Sequence, residues 1–124
     1  MIKDGLYVEY YTNGQIKLRC LYKDGKINGF YEAFHENGQL YVKCSFKRGK
    51  NHGLYRSYYS DGQLMTKCFF KNGKRHGLYE SYYRNGELFL KQEYRKGFVI
   101  KEEFNAPFDL KAELAKGYFI RQYE

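Results

Sequence analysis

A period of 24 residues governs this chain: Gly5, Gly29, Gly53 and Gly77 each open a copy of one pattern. The pattern is fullest in Gly53-Leu54-Tyr55-Arg56-Ser57-Tyr58-Tyr59-Ser60-Asp61-Gly62-Gln63-Leu64. A fixed period of this length marks a repeat array, in which each unit buries its apolar surface against its neighbours instead of in a core of its own. The copies run to Gly97, so residues 1–97 read as the array and residues 98–124 as a C-terminal capping segment of the same single domain.

Between the glycines the residues alternate and favour aromatic and β-branched types, as in Leu6-Tyr7-Val8-Glu9-Tyr10-Tyr11, which is a strand pattern. Two turn signals fall in every copy. The first is Asn13-Gly14, Asn37-Gly38, Asp61-Gly62 and Asn85-Gly86; the second is Asp24-Gly25, Arg48-Gly49, Asn72-Gly73 and Lys96-Gly97. Asn-Gly and Asp-Gly favour two-residue type I′ turns, because both central residues need positive φ. Each copy is therefore expected to be one β-hairpin, and the chain an all-β, elongated, twisted antiparallel sheet of four tandem hairpins. Twelve of the 13 glycines lie on this lattice, which leaves no glycine-rich phosphate loop.

A two-residue turn at Asn13-Gly14 sets Thr12 opposite Gln15, Tyr11 opposite Ile16, Glu9 opposite Leu18 and Tyr7 opposite Cys20. That face, continued by Tyr31, Tyr55 and Tyr79 and by Leu40, Leu64 and Leu88, is apolar with small residues between large ones and is assigned to packing. The second turn leaves two registers open. A two-residue turn at Asp24-Gly25 staggers successive hairpins by two residues, whereas a four-residue loop from Asp24 to Ile27 removes the stagger.

The C-terminal segment breaks the pattern, since Lys101-Glu102-Glu103 stands where a fifth copy needs Gly-Leu-Tyr. Asn105 is placed to cap a short helix with Pro107 in its first turn and Gly117 at its end, and Tyr118 to Tyr123 to return as a strand. A helix and strand of this kind would cover the open end of the array.

Neither metal binding nor catalysis is expected. Cys20, Cys44 and Cys68 share one repeat position, so neighbouring thiols lie about 10 Å apart across an intervening strand, out of reach of a disulfide or a shared zinc. They read as small apolar fillers in a reducing compartment. His52 and His76 have the same spacing, and no nucleophile, base and orienting group stand at recognisable intervals. No cofactor is implied. The chain shows no apolar run long enough for a membrane span and no apolar signal segment, so a cytoplasmic protein is expected.

The formal charge of +8 resides in the repeats: residues 1–97 alone carry 18 Lys or Arg against 9 Asp or Glu. Such an excess suits an acidic partner and also serves solubility. On the face opposite the packed one, Arg19, Lys43, Lys67 and Lys91 hold one repeat position, with Tyr10, Phe34, Tyr58 and Tyr82 close by. The hairpin register opposes Glu32 to Lys43 and Glu80 to Lys91, which gives those lysines partners. In the third copy Arg56 opposes Lys67, a like-charge pair that costs stability unless the side chains splay or an anion lies between them. Arg56 and Lys67 are therefore the leading candidate binding residues, with Tyr58, Lys43, Lys91, Arg19 and Tyr82 around them.

The motif Gly-Leu/Phe-Tyr, two residues, Tyr/Phe-Tyr/His, one residue, Asn/Asp-Gly-Gln/Glu-Leu/Ile over residues 5–97 resembles the MORN-repeat variant, a hairpin repeat of bacterial proteins classed as antitoxin components and of giant-virus proteins. The resemblance implies an elongated β-sheet scaffold for protein or membrane association, with no catalytic residues to transfer. The expected function is a non-enzymatic interaction scaffold that presents a basic, aromatic-rich face to an acidic protein, antitoxin-like in kind. The alternative is binding of nucleic acid or anionic lipid through the same face.

Overall fold

A computed structural model describes residues 2–104. Ten strands form one antiparallel sheet: β1 (Gly5–Tyr10), β2 (Ile16–Lys23), β3 (Lys26–Phe34), β4 (Leu40–Lys47), β5 (Lys50–Asn51), β6 (Gly53–Tyr58), β7 (Leu64–Lys71), β8 (Lys74–Tyr82), β9 (Leu88–Arg95) and β10 (Phe98–Phe104). The strands lie in chain order, with the two-residue β5 paired to β4 beside β6. Among the described residues every regular element is a strand. The helix expected from Asn105 and the strand expected at Tyr118 to Tyr123 lie outside the described residues. The segment assigned to the cap nevertheless begins as β10, which pairs with β9 and continues the sheet past Gly97.

The first turn of each copy differs from the expected type I′. Gly14 takes φ +89°, while Asn13 is not among the residues with positive φ. Tyr11 accepts from the Gly14 N–H at 3.0 Å and donates to the Gln15 carbonyl at 2.8 Å. This is a three-residue loop in which the glycine forms the bulge, and it moves Ile16 opposite Tyr10 instead of Tyr11. The asparagine is needed for its side chain: Asn13 Oδ1 accepts from the Gln15 N–H at 2.9 Å, and its Nδ2 donates to the Glu36 carbonyl of the next copy at 3.1 Å. Asn37 repeats both bonds, donating to Ser60, whereas Asp61 keeps only the acceptor bond, since a carboxylate has no N–H to offer.

The second turn combines the two open registers. Asp24 and Gly25 take φ +52° and +78°, as a type I′ turn requires, and Lys23 pairs with Lys26. Ile27 opposes Tyr22 but Tyr31 opposes Cys20, so Asn28, Gly29 and Phe30 stand against Leu21 alone. That bulge absorbs the stagger. Gly29 is required there: its φ is +117°, and a Cβ would lie 3.0 Å from Leu21 Cδ1. At β10, where no repeat glycine is present, the register shifts by a single residue at Ile100.

With the stagger removed, Tyr7, Cys20, Tyr31, Cys44, Tyr55, Cys68, Tyr79 and Gln92 lie side by side in one row across the sheet. This row and its flanks hold the core: Cys20 and Cys68 are 1% and 2% exposed, and Val42, Cys44, Ser57, Leu90 and Gln92 are also buried. Aromatic pairs shelter the thiols, with ring centroids 5.6 Å apart for Tyr7–Tyr22 and Tyr31–Phe46, 5.7 Å for Tyr55–Phe70 and 6.1 Å for Tyr79–Tyr94. Each such pair contributes about 0.5–1.5 kcal/mol beyond its buried area.

Hydrogen bonds one period apart tie the copies together at the first-turn edge. The Tyr11 hydroxyl donates to the Phe34 carbonyl at 2.6 Å and the Tyr59 hydroxyl to Tyr82 at 2.7 Å. His35 Nε2 makes the equivalent contact with the Tyr58 carbonyl at 2.8 Å, which a ring carrying its proton on Nε2 donates. The histidine thus substitutes for a tyrosine in a structural role.

Candidate functional site

The face opposite the thiol row carries a second row, formed by residues that face one another on successive strands. It runs Val8, Arg19, Glu32, Lys43, Arg56, Lys67, Glu80, Lys91 and Glu103. Facing side chains in such a row have Cβ atoms about 4.5–5.5 Å apart. Most of the row alternates in sign, and the exception is Lys43–Arg56–Lys67, three cations on β4, β6 and β7. Zero stagger is what makes them a triplet, because the β4–β6 pairing sets Lys43 against Arg56.

Glu32, the partner expected for Lys43, is engaged elsewhere. Glu32 faces Lys43 on one side, but its Oε1 lies 2.8 Å from Nε of Arg19 on the other. Arg19 is also stacked on Phe34, its guanidinium carbon 5.4 Å from the ring centroid. A planar guanidinium held by both a carboxylate and a ring face outcompetes an exposed ammonium for the shared glutamate. Burial, together with the nearby Glu80 charge, raises the Tyr82 pKa above the usual phenol value. Among the described residues, the side chains of Lys43, Arg56 and Lys67 have no ion pair or hydrogen bond. Of the seven candidates, then, Arg19 and Tyr82 serve the fold, and Lys91 lies between Glu80 and Glu103. Lys43, Arg56 and Lys67 remain together with Tyr58, which ends β6 two residues beyond Arg56 on the same face.

Apolar rows flank the triplet on this face. Phe34, Tyr58 and Tyr82 lie toward the first-turn edge, and Leu54, Phe69 and Leu78 toward the second. Phe69 and Leu78 are exposed, as are Leu6 and Tyr10 at β1 and Phe30 on β3. Unpaired cations next to exposed aromatic and aliphatic side chains provide both a charge to attract an acidic surface and an apolar area to bury against it.

The thiol face offers no comparable chemistry. Burial pushes the Cys44 and Cys68 thiols up to about 11, with the neighbouring Cys68 adding to the effect at Cys44, so both stay protonated and unreactive at neutral pH. Among the described residues, no group of three His, Cys, Asp or Glu is placed to hold a metal ion, and no helix is long and apolar enough to cross a membrane.

Sequence reasoning found Arg56–Lys67 from the hairpin register and missed its extension to Lys43, because the inter-hairpin register depended on the undecided second turn. It also missed what His52 does. Asp4, Asn28 and His52 each precede a repeat glycine and accept from the first N–H of a second-type turn: Asp24 to Asp4 at 2.9 Å, Arg48 to Asn28 at 2.9 Å and Asn72 to His52 Nδ1 at 3.2 Å. The shared spacing was the available signal. Among known families, the model described as MORN repeat variant matches residues 3–24, 28–48, 51–72 and 75–96. No curated protein matches the chain.

Proposed function

This chain belongs to the MORN repeat variant family, and from that premise we propose that it is a non-enzymatic protein-interaction scaffold whose basic face docks an acidic partner at Lys43, Arg56 and Lys67. MORN repeats are generally protein- or membrane-binding repeats, which supports the scaffold reading at its coarse level. The observation that carries the finer reading is the unpaired triplet. Three like charges on adjacent strands destabilise the free sheet, and an acidic side chain set between them relieves that repulsion. Tyr58 and the Leu54–Phe69–Leu78 row supply the apolar contact area around the charge. An antitoxin-like role is one form of this reading, with the partner's acidic surface taking the place of the missing glutamate.

Affinity capture from the native host tests it, with bound proteins quantified by mass spectrometry for wild type, Arg56→Glu and Lys17→Glu. Lys17 is a surface lysine next to the Tyr11 ring, 5.8 Å from its centroid, and away from the triplet. An acidic protein that is retained by wild type and Lys17→Glu and lost from Arg56→Glu supports the assignment. Equal retention on Arg56→Glu contradicts it.

A further inference from the structure

Away from the triplet, the densest charge lies on the sheet edge made by the type I′ turns. Lysines flank the first three on both sides, as Lys23 and Lys26, Lys47 and Lys50, and Lys71 and Lys74, and all six are exposed. Arg48 and Lys96 stand inside turns at φ +51°, and Asp24 is the one acidic residue within this set of turns. The opposite edge carries Glu36, Asp61 and Glu87, so the excess positive charge is one-sided.

Backbone bonds hold these turns in a line. The Gly49 N–H donates to the Ile27 carbonyl at 2.8 Å, Gly73 to Asn51 at 2.8 Å and Gly97 to Arg75 at 3.1 Å. Successive turns are therefore set about 10 Å apart, two strand spacings. The lysines project from a fixed ridge.

Between the third and fourth turns lies a cleft of about 430 Å³ lined by Lys50, Lys71, Lys74 and Lys96 with Arg75 and His76, and without an acidic residue. Arg75 is ordered in place, its guanidinium carbon 4.6 Å from the Tyr79 ring centroid and Nη1 3.2 Å from the Tyr94 hydroxyl. A second cleft of about 430 Å³ adjoins it, shares Lys71 and His76, and is walled by His52, Phe69, Phe70 and Leu78. Both volumes fall within the ~300–1,000 Å³ of small-ligand clefts.

We propose that these adjoining clefts bind single-stranded nucleic acid, with backbone phosphates in the lysine cleft and a base against Phe69 in its neighbour. Each half calls for a different part of a nucleotide: a cluster of unopposed cations takes phosphate, and an aromatic wall beside it takes a π-face. An acidic peptide fills both clefts only with an aromatic side chain at one fixed place, whereas every nucleotide carries a π-face next to its phosphate. A planar bilayer touches the turn tips and does not enter the second cleft. The line of turns lets a linear polyanion continue toward Lys47 and Arg48. The site uses none of Lys43, Arg56 and Lys67, although its second cleft shares Phe69 and Leu78 with the apolar row beside them.

Fluorescence anisotropy with labelled oligo(dT) and oligo(U), from about 50 to about 200 mM KCl, tests the proposal. Single strands contribute a slope of about −0.7 in log K against log salt per phosphate neutralised, so four lysines predict about −3. Lys71→Glu/Lys74→Glu should weaken binding at least about tenfold and flatten that slope. Phe69→Ala should weaken it about fivefold or more with the slope unchanged, the loss of one stacked base. Circular dichroism verifies that each variant is folded. Lys17→Glu, at an exposed lysine beside Tyr11 and away from both clefts, should leave oligonucleotide affinity within about twofold. Absence of binding at the lowest salt overturns the proposal. So does affinity for polyglutamate or phosphatidylserine vesicles equal to that for the oligonucleotides, and so does a Phe69→Ala variant that binds like wild type.

Discussion

Replacing Arg56 by glutamate should make the folded chain more stable while removing its docking site. In the wild-type row Arg56 faces Lys43 on one side and Lys67 on the other, two like-charge cross-strand contacts. The glutamate converts both to opposite-charge contacts and restores the alternation that the rest of the row already has. Cross-strand charge pairs are worth about 0.2–1 kcal/mol each, and both change sign, so the full swing is about 0.8–4 kcal/mol. Lys43 is exposed, and exposed pairs fall at the low end of such ranges. A gain of about 1 kcal/mol is expected, seen as a rise of about 3–5 °C in Tm for a chain of this size. Urea denaturation at low ionic strength measures it. In about 1 M salt, where the Debye length falls to about 3 Å, the two proteins should converge. Arg56→Met, which removes charge but keeps length, should lie between them. A glutamate variant that is less stable than wild type at low salt, or a difference indifferent to salt, would show that the triplet is not repulsive and remove the reason for an anion there.

Two further outcomes follow from the packed face. Asn51 Oδ1 is buried without a hydrogen-bond partner, at the register position held by Ile27 on β3, Arg75 on β8 and Val99 on β10. Asn51→Ile should therefore stabilise by about 1–3 kcal/mol in urea titrations, and a loss of stability would show that the amide is satisfied. The Cys44 and Cys68 thiols, raised to about 11 by burial, keep their protons when the unfolded chain has lost its own. Between about pH 9 and about pH 11 the unfolded state thus binds fewer protons, and stability should fall with rising pH by about 1.4 kcal/mol per unit for each thiol. The fall should be smaller in a Cys44→Ala/Cys68→Ala variant; the same pH profile in both proteins would contradict it.

The hairpin architecture was legible in the sequence because glycine and its neighbours recur at fixed places, and the two faces because side chains alternate along a strand. Turn chemistry was only half legible. Asn13 and Asp24 both precede glycine, yet Asn13 uses its side-chain amide to reach the next copy while Asp24 takes the positive φ. Dipeptide preference alone does not separate those roles. The site was legible as a pair and not as a triplet, since Lys43 joins Arg56 through a bulge at a glycine that reads from sequence as an ordinary strand start. Arg19 and Glu32 illustrate a different limit: register places Glu32 against two cations, and only side-chain geometry decides that Arg19 takes it. The C-terminal departure was visible at Lys101-Glu102-Glu103, though β10 pairs with β9 in spite of it through a smaller bulge.

Lysine footprinting of the chain alone and in its captured complex tests most directly whether the triplet is where a partner docks. Acylation is followed residue by residue in mass spectra, with Lys17 as the internal reference. The account predicts that Lys43 and Lys67 lose most of their reactivity in the complex while Lys17 keeps its own. If Lys43 and Lys67 are modified as fast in the complex as in the free chain, the partner sits elsewhere and the assignment of the basic face is wrong.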